Sequence, residues 1–113
     1  MADAIKDYGN KLPLDLVPPE MEIAIASVLR EMNIVLKKYP KNNWRKGLTY
    51  STYYAAARRH MLKWWIGEDI DPESGLPHLW HAACNLSFLI SQEMNKSKYK
   101  KYDDRIKLQV KIK

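Results

Sequence analysis

His60, His78 and His81 are the three imidazoles of this 113-residue chain, and four carboxylates, Glu68, Asp69, Asp71 and Glu73, stand between the first and the other two. Imidazole mixed with carboxylate suits a divalent ion, and an imidazole alone serves as an acid, a base or a donor to phosphate. The acids lie in the stretch GEDIDPESG, where Pro72 and Gly75 tighten the chain and turn some of them back toward His78 and His81. A simpler reading competes with this one, because carboxylates just before a helix also suit the positive end of its dipole.

Residues 76–92 contain no Asp, Glu, Lys or Arg, yet they carry His78, His81, Asn85 and Gln92. At about 100° per residue, those four fall within an arc of roughly 60° on a helix. The absence of charge predicts burial on nearly all sides, and an unsatisfied buried polar group costs about 1–3 kcal/mol, so the stripe needs partners. Solvation or bonding to backbone is the ordinary alternative for such histidines.

His60 shares a helical face with Tyr53, Ala57 and Trp64, where a lone histidine is more often structural than catalytic. Arg58, Arg59 and Lys63 lie on other faces. They are candidates to neutralise phosphate charge, or equally a solvated basic face. The segment KNNWRKGL (41–48) presents Trp44 beside Asn43, Arg45 and Lys46, as an aromatic that stacks on a base among phosphate-binding neighbours or as a lid over the core. No glycine-rich phosphate loop, nucleophile elbow or HExxH pair is present.

Three helices must position these groups. Pro18 and Pro19, followed by Glu20 and Glu22, open the first, whose apolar positions Met21, Ile25, Val28, Met32 and Leu36 recur at helical spacing until Pro40 stops it, giving a helix over about 19–39. Thr49 or Ser51 caps the second, which runs to about Ile66 with Gly67 free for a left-handed turn. The third opens at Leu76 or Pro77, capped by Ser74, and reaches about Met94. Trp64, Trp65 and Trp80 sit in helices and are expected in the core. Residues 105–113 alternate Ile106, Leu108, Val110 and Ile112 with mainly Lys, which predicts a strand pairing either with the weak strand signal at 12–16 or with a second subunit. The expected fold is mainly α: a small helical bundle of three to four helices with a short terminal β-strand pairing, a helical body over 1–93 and a basic tail over 94–113.

The net charge of +6 is not spread evenly: residues 94–113 hold eight Lys or Arg against two Asp, whereas 1–93 balance at zero. The body therefore has no bias toward DNA, and nucleic acid is not expected as its partner. The single Cys84 excludes an internal disulfide and a multi-cysteine zinc site, which fits a reducing compartment. Asp3, Lys6 and Asp7 interrupt any signal-like run, and no stretch approaches the roughly 18 apolar residues of a membrane span, so a cytoplasmic protein is expected.

The residues quoted above carry a family resemblance. LDLVPPE, NNWRKG, RRH, GEDIDPESGLPHLWHA and the following CN, spread over about 12–93, closely resemble the N-terminal domain of the phage and bacterial dATP/dGTP diphosphohydrolase family. The resemblance implies a helical domain related to the MazG-like all-α nucleotide pyrophosphohydrolases, which use Mg²⁺ or Mn²⁺ to direct water at the bond between the α and β phosphates. It also implies a homo-oligomer. The MazG-like group carries EExxE and, on a later helix, ExxD; this chain has neither on its expected helices, with HLWH standing where the second is expected.

Two functions follow. The first is metal-dependent hydrolysis of purine deoxynucleoside triphosphates to monophosphate and pyrophosphate by a nucleoside triphosphate diphosphohydrolase. There His60, Asp71 and His81 are catalytic and Glu68, Asp69, Asp71, His78 and His81 hold the metal, while Asn43, Trp44, Lys46, Arg59, Lys63 and Asn85 bind substrate. The second is a non-catalytic phage protein that binds or sequesters a nucleotide. A weaker third makes the basic tail an adaptor for nucleic acid or an acidic partner.

Overall fold

A computed structural model describes residues 2–6 and 9–113. Asp7, used above in reading the N-terminal stretch, lies outside the described residues. Helix α1 (Pro19–Arg30) starts with proline at its first positions, where the missing N–H is no loss, and with Glu20 and Glu22 in the first turn. Ala24 and Val28, one turn apart, are its buried residues, whereas Met21 and Leu36 at the ends of the expected stripe are exposed.

Beyond Arg30 the helix widens into a π turn, Glu31–Val35, closed by the Leu36 N–H on the Glu31 carbonyl at 2.8 Å. It stops short of the expected end at 39. Lys37 takes a left-handed conformation (φ 51°), which a right-handed helix cannot continue, and the Lys38 N–H turns back to the Met32 carbonyl.

Helix α2 (Tyr50–Trp65) ends as the glycine predicts. Gly67 has φ 103°, its N–H bonds the Trp64 carbonyl and the Glu68 N–H bonds that of Lys63, the paired bonds that close a helix C-terminus through a left-handed residue. Its start differs. Thr49 stands at the cap position, but its hydroxyl bonds the Thr52 hydroxyl, and the Ser51 N–H and hydroxyl are both taken by the Asp104 carboxylate. An acidic group from the far end of the sequence thus supplies the charge that the first turn of α2 lacks.

Helix α3 (His78–Met94) packs against both α1 and α2 and is the centre of the bundle. Ser74 does not cap it. The His78 N–H instead bonds the Asp69 carbonyl at 2.8 Å, because the Ser74 hydroxyl is held by Asp71 and His81. The expectation of burial on nearly all sides is also corrected: His78, His81, Ala82, Cys84 and Gln92 are buried, but Leu79, Leu86 and Ile90 are exposed, since two helices and a short tail leave one face uncovered. Trp65 is likewise not a core residue, being 76% exposed, and Trp64 is exposed beside it.

A short helix α4 (Lys96–Tyr99) and a 3-10 turn, Lys100–Tyr102, follow. The Tyr99 hydroxyl donates to the Arg45 carbonyl at 2.7 Å and that of Tyr102 to the Lys46 carbonyl at 3.1 Å. Together they strap down the 3-10 turn Asn43–Lys46. Gly47 (φ 92°) lies beneath the Tyr102 ring, where a Cβ would come within 2.4 Å of it.

The terminal strand pairing is not observed. Residues 105–113 are exposed, Ile112 by 94%, and no strand occurs among the described residues; an isolated antiparallel bridge joins Ile70 to Pro77. The alternative partner at 12–16 curls into a 3-10 turn, Leu14–Leu16, so the tail's backbone has no strand to pair with among the described residues. These outlying segments raise the radius of gyration to 17.6 Å, against about 13 Å for a compact domain of this size. Among the described residues no helix is long and apolar enough to cross a membrane.

Candidate functional site

A cleft of about 410 Å³ lies where the three main helices meet. Its floor is α3, through His81, Cys84, Asn85 and Phe88. One wall is α2, where Thr52, Ala56, Arg59 and Lys63 recur at helical spacing with Tyr53 and His60 beside them. The π turn and the bend after it form the other wall, through Met32, Asn33, Lys38 and Tyr39. Such turns interrupt regular hydrogen bonding and often sit at functional sites. Asn43 and Trp44 close one end and Asp71 and Glu73 the other.

The acidic turn is built to point inward. Asp71 N–H bonds the Leu76 carbonyl at 2.9 Å, and Gly75, left-handed at φ 73°, returns its N–H to the Asp71 carbonyl at 2.8 Å. This places Asp71 Oδ2 3.3 Å from His81 Nε2, while the Ser74 hydroxyl donates to Asp71 at 3.1 Å and lies 2.6 Å from the same nitrogen. Since that hydroxyl gives its proton to Asp71, His81 Nε2–H is the donor in its contact with Ser74. Glu73 bonds Lys38 Nζ at 2.7 Å, tying the turn to the end of the π segment.

The three imidazoles form one cluster. His60 stacks on His81 with centroids 4.6 Å apart and planes 12° from parallel, and its Nδ1 lies 2.9 Å from His78 Nδ1. His78, fully buried, bonds Glu68 Oε1 through Nε2 at 3.0 Å. Burial first, then the neighbouring His81, pushes His60 down to about 4. Burial also lowers His81, with Asp71 opposing it. For Asp71, desolvation acts upward, but the Glu73 N–H, the Ser74 hydroxyl and the two histidines together hold it below its ordinary value. Near neutral pH the cleft therefore presents neutral imidazole at His60 beside an ionised carboxylate at Asp71.

Trp44 stacks on Phe88 at 5.2 Å and 13°, with the Arg45 guanidinium 4.3 Å over its ring. It is held in place by Gln92, fully buried on α3, whose amide accepts from the Leu48 N–H at 3.0 Å and donates to the Leu48 carbonyl at 2.9 Å. Gln92 belongs to the polar stripe but serves the loop and not the cleft.

Of the residues expected from sequence, Asn43, Trp44, Arg59, His60, Lys63, Asp71, His81 and Asn85 line this one cleft. Lys46, Glu68, Asp69 and His78 do not. The expected five-residue metal set divides into pairs, Glu68 with His78 and Asp71 with His81, while Asp69 is exposed and contributes its backbone carbonyl to His78; among the described residues no three His, Cys, Asp or Glu side chains gather as a metal site requires. Arg59 and Lys63, expected on faces other than that of His60, turn into the cleft beside it, and among the described residues neither forms an ion pair. Lys38, Ser74 and Tyr53 were missed as site residues, and Glu73, singled out with the other acids of the turn, was given no role there. Lys38 had no local signal, whereas Ser74 stands seven residues before His81 in the turn already singled out.

Residues 2–105 match the protein family described as dATP/dGTP diphosphohydrolase, N-terminal. A curated protein named dATP/dGTP diphosphohydrolase, from Salmonella phage PMBT28, is 38% identical over 85 residues, which is 75% of this chain and 28% of that protein. The chain thus spans less than a third of that relative's length. No solved structure matches it.

Proposed function

This chain belongs to the dATP/dGTP diphosphohydrolase N-terminal family, and from that premise we propose that its cleft binds a purine deoxynucleoside triphosphate and hydrolyses it to monophosphate and pyrophosphate. The observation that carries this reading is the meeting, in one cleft, of two cations that form no ion pair among the described residues, Arg59 and Lys63, with a carboxylate held ionised at Asp71. The cations neutralise phosphate charge. The aromatic wall of Trp44 and Phe88 receives the base, and Asn43 and Asn85 supply amide groups for its edge or the sugar. The Asn85 amide N–H is engaged by the His81 carbonyl at 2.9 Å, which leaves its oxygen as the acceptor.

Mg²⁺ or Mn²⁺ enters this reading with the phosphates. Mg²⁺ commonly keeps several waters and takes only one or two carboxylates besides substrate oxygens, a requirement that Asp71 and Glu73 fit although no three-ligand cage forms among the described residues. When bound, such an ion offsets phosphate charge and favours ionisation of water. The chain's own residues do the rest: Arg59 and Lys63 orient the phosphates, and His81 with Ser74 fixes the Asp71 carboxylate.

The deciding experiment measures pyrophosphate release from dGTP and dATP with and without Mn²⁺. Turnover is expected to need the ion, to collapse in Asp71→Ala and His81→Ala, and to show a raised KM in Arg59→Ala. Unchanged turnover in both of the first two variants removes the assignment. The pairwise engagement of the acids and imidazoles favours one other reading, nucleotide binding without hydrolysis. Recovery of intact bound nucleotide after long incubation with Mg²⁺ or Mn²⁺ selects it. A homo-oligomer is part of the main reading, supported by the uncovered Leu79, Leu86 and Ile90 on α3, and sedimentation as a monomer would remove that part.

A further inference from the structure

Glu68, His78 and His60 make a continuous hydrogen-bonded line from the surface to the cleft. Glu68 is about half exposed, and His78, fully buried, touches it through Nε2 at 3.0 Å and touches His60 Nδ1 through Nδ1 at 2.9 Å. A carboxylate can only accept, so the His78 proton in this line lies on Nε2. With one proton on each ring, His78 Nδ1 is then a lone pair, and the contact between the rings requires the proton of His60 on Nδ1. His60 Nε2 is left unprotonated.

That nitrogen is also the one that faces an opening. No hydrogen bond engages it among the described residues, and Tyr53 Oη alone among their buried side-chain N and O atoms lacks a partner, so His60 Nε2 is not sealed in. The ring lines the cleft. We infer that Glu68 and His78 are positioning residues that hold His60 in its Nδ1–H tautomer and thereby present the Nε2 lone pair to the cleft as the general base for the attacking water.

The inference rests on the hydrolytic reading and gives it a proton path. The water oxygen bonds to the α-phosphorus and its proton passes to His60 Nε2. The bond from that phosphorus to the bridging oxygen breaks, and the electron pair leaves with pyrophosphate. The groups facing His60 are His78 and His81 from α3, Lys63 from α2 and Asp71 from the acidic turn. Of these only Asp71 favours the imidazolium that forms.

Glu68→Gln separates this role from a structural one. Glutamine can turn its amide N–H toward His78 Nε2, which permits the reverse order of donors and puts the His60 proton on Nε2. ¹⁵N NMR of the imidazoles should report an unprotonated His60 Nε2 in the wild type and a protonated one in the variant, whose half-exposed site leaves the fold intact. With dGTP and Mn²⁺, kcat in Glu68→Gln should fall about 100-fold or more, the ordinary worth of a positioned base, with KM little changed. A protonated Nε2 in the wild type, a tautomer that the variant leaves unaltered, or a kcat that survives inversion overturns the relay. A wild type that turns over no nucleotide yet shows the Nδ1–H tautomer overturns the hydrolysis and the base role, but not the orientation by Glu68 and His78.

Discussion

The Gln92 amide grips both backbone groups of Leu48, accepting from its N–H at 3.0 Å and donating to its carbonyl at 2.9 Å, so a buried polar side chain of α3 holds the loop that carries Trp44. Gln92→Ala should cost about 1–3 kcal/mol in urea unfolding, because the partly buried Leu48 groups lose their partner. Weaker nucleotide binding should accompany it. A variant of wild-type stability would mean that water replaces the grip.

Gly47 combines φ 92° with a Cβ position 2.4 Å from the Tyr102 ring. Gly47→Ala is expected to destabilise by about 1–3 kcal/mol, from left-handed strain and the contact together. Adding Tyr102→Ala should recover the contact part and not the strain, giving a non-additive double-mutant cycle. Simple additivity would contradict the geometry.

Tyr53 is buried in the cleft wall with its hydroxyl unpartnered among the described residues, and burial pushes its pKa up to about 12. Tyr53→Phe should therefore raise the melting temperature, by an amount equivalent to about 1 kcal/mol. A lowered melting temperature would reveal a partner for that oxygen.

Acid should act in two stages. His60 falls from 6.5 to about 4 on folding, so the unfolded chain binds more protons between those values and stability drops as pH falls through that window. His81, also lowered, acts in the same direction. Asp71 is held below 3.8, so its contribution is present above that value and is lost as pH falls through its folded pKa. Denaturant melts at a series of pH values should show the first stage flattened in His60→Gln. Constant wild-type stability from pH 7 down to about 4.5 would mean that His60 is not disfavoured as a cation.

Local signals marked the helices well. The proline pair before Glu20 and Gly67 after α2 each place a helix boundary through the chemistry of a few adjacent residues, whereas the charge-free run of α3 overstated its burial. The same kind of signal misled at 105–113, where alternation implies a strand only if a neighbour supplies the backbone partners, and none does among the described residues. It misled at Trp65 too, because helix membership does not say which face another helix covers.

The sequence by itself determined a mainly helical chain with an imidazole and amide stripe on one helix, an acidic turn before it and a cationic, aromatic loop elsewhere. These are properties of residues within a few positions of one another, and helical periodicity with proline and glycine punctuation is enough to encode them. Tertiary structure alone decided that Glu68 meets His78, that Arg59 and Lys63 share a cleft with Asp71, and that Tyr99, Tyr102 and Asp104 brace the body. Those relationships depend on the angle and rotation at which separate elements pack. No short-range pattern carries that information, because the same stripe presented a few tens of degrees away meets different partners.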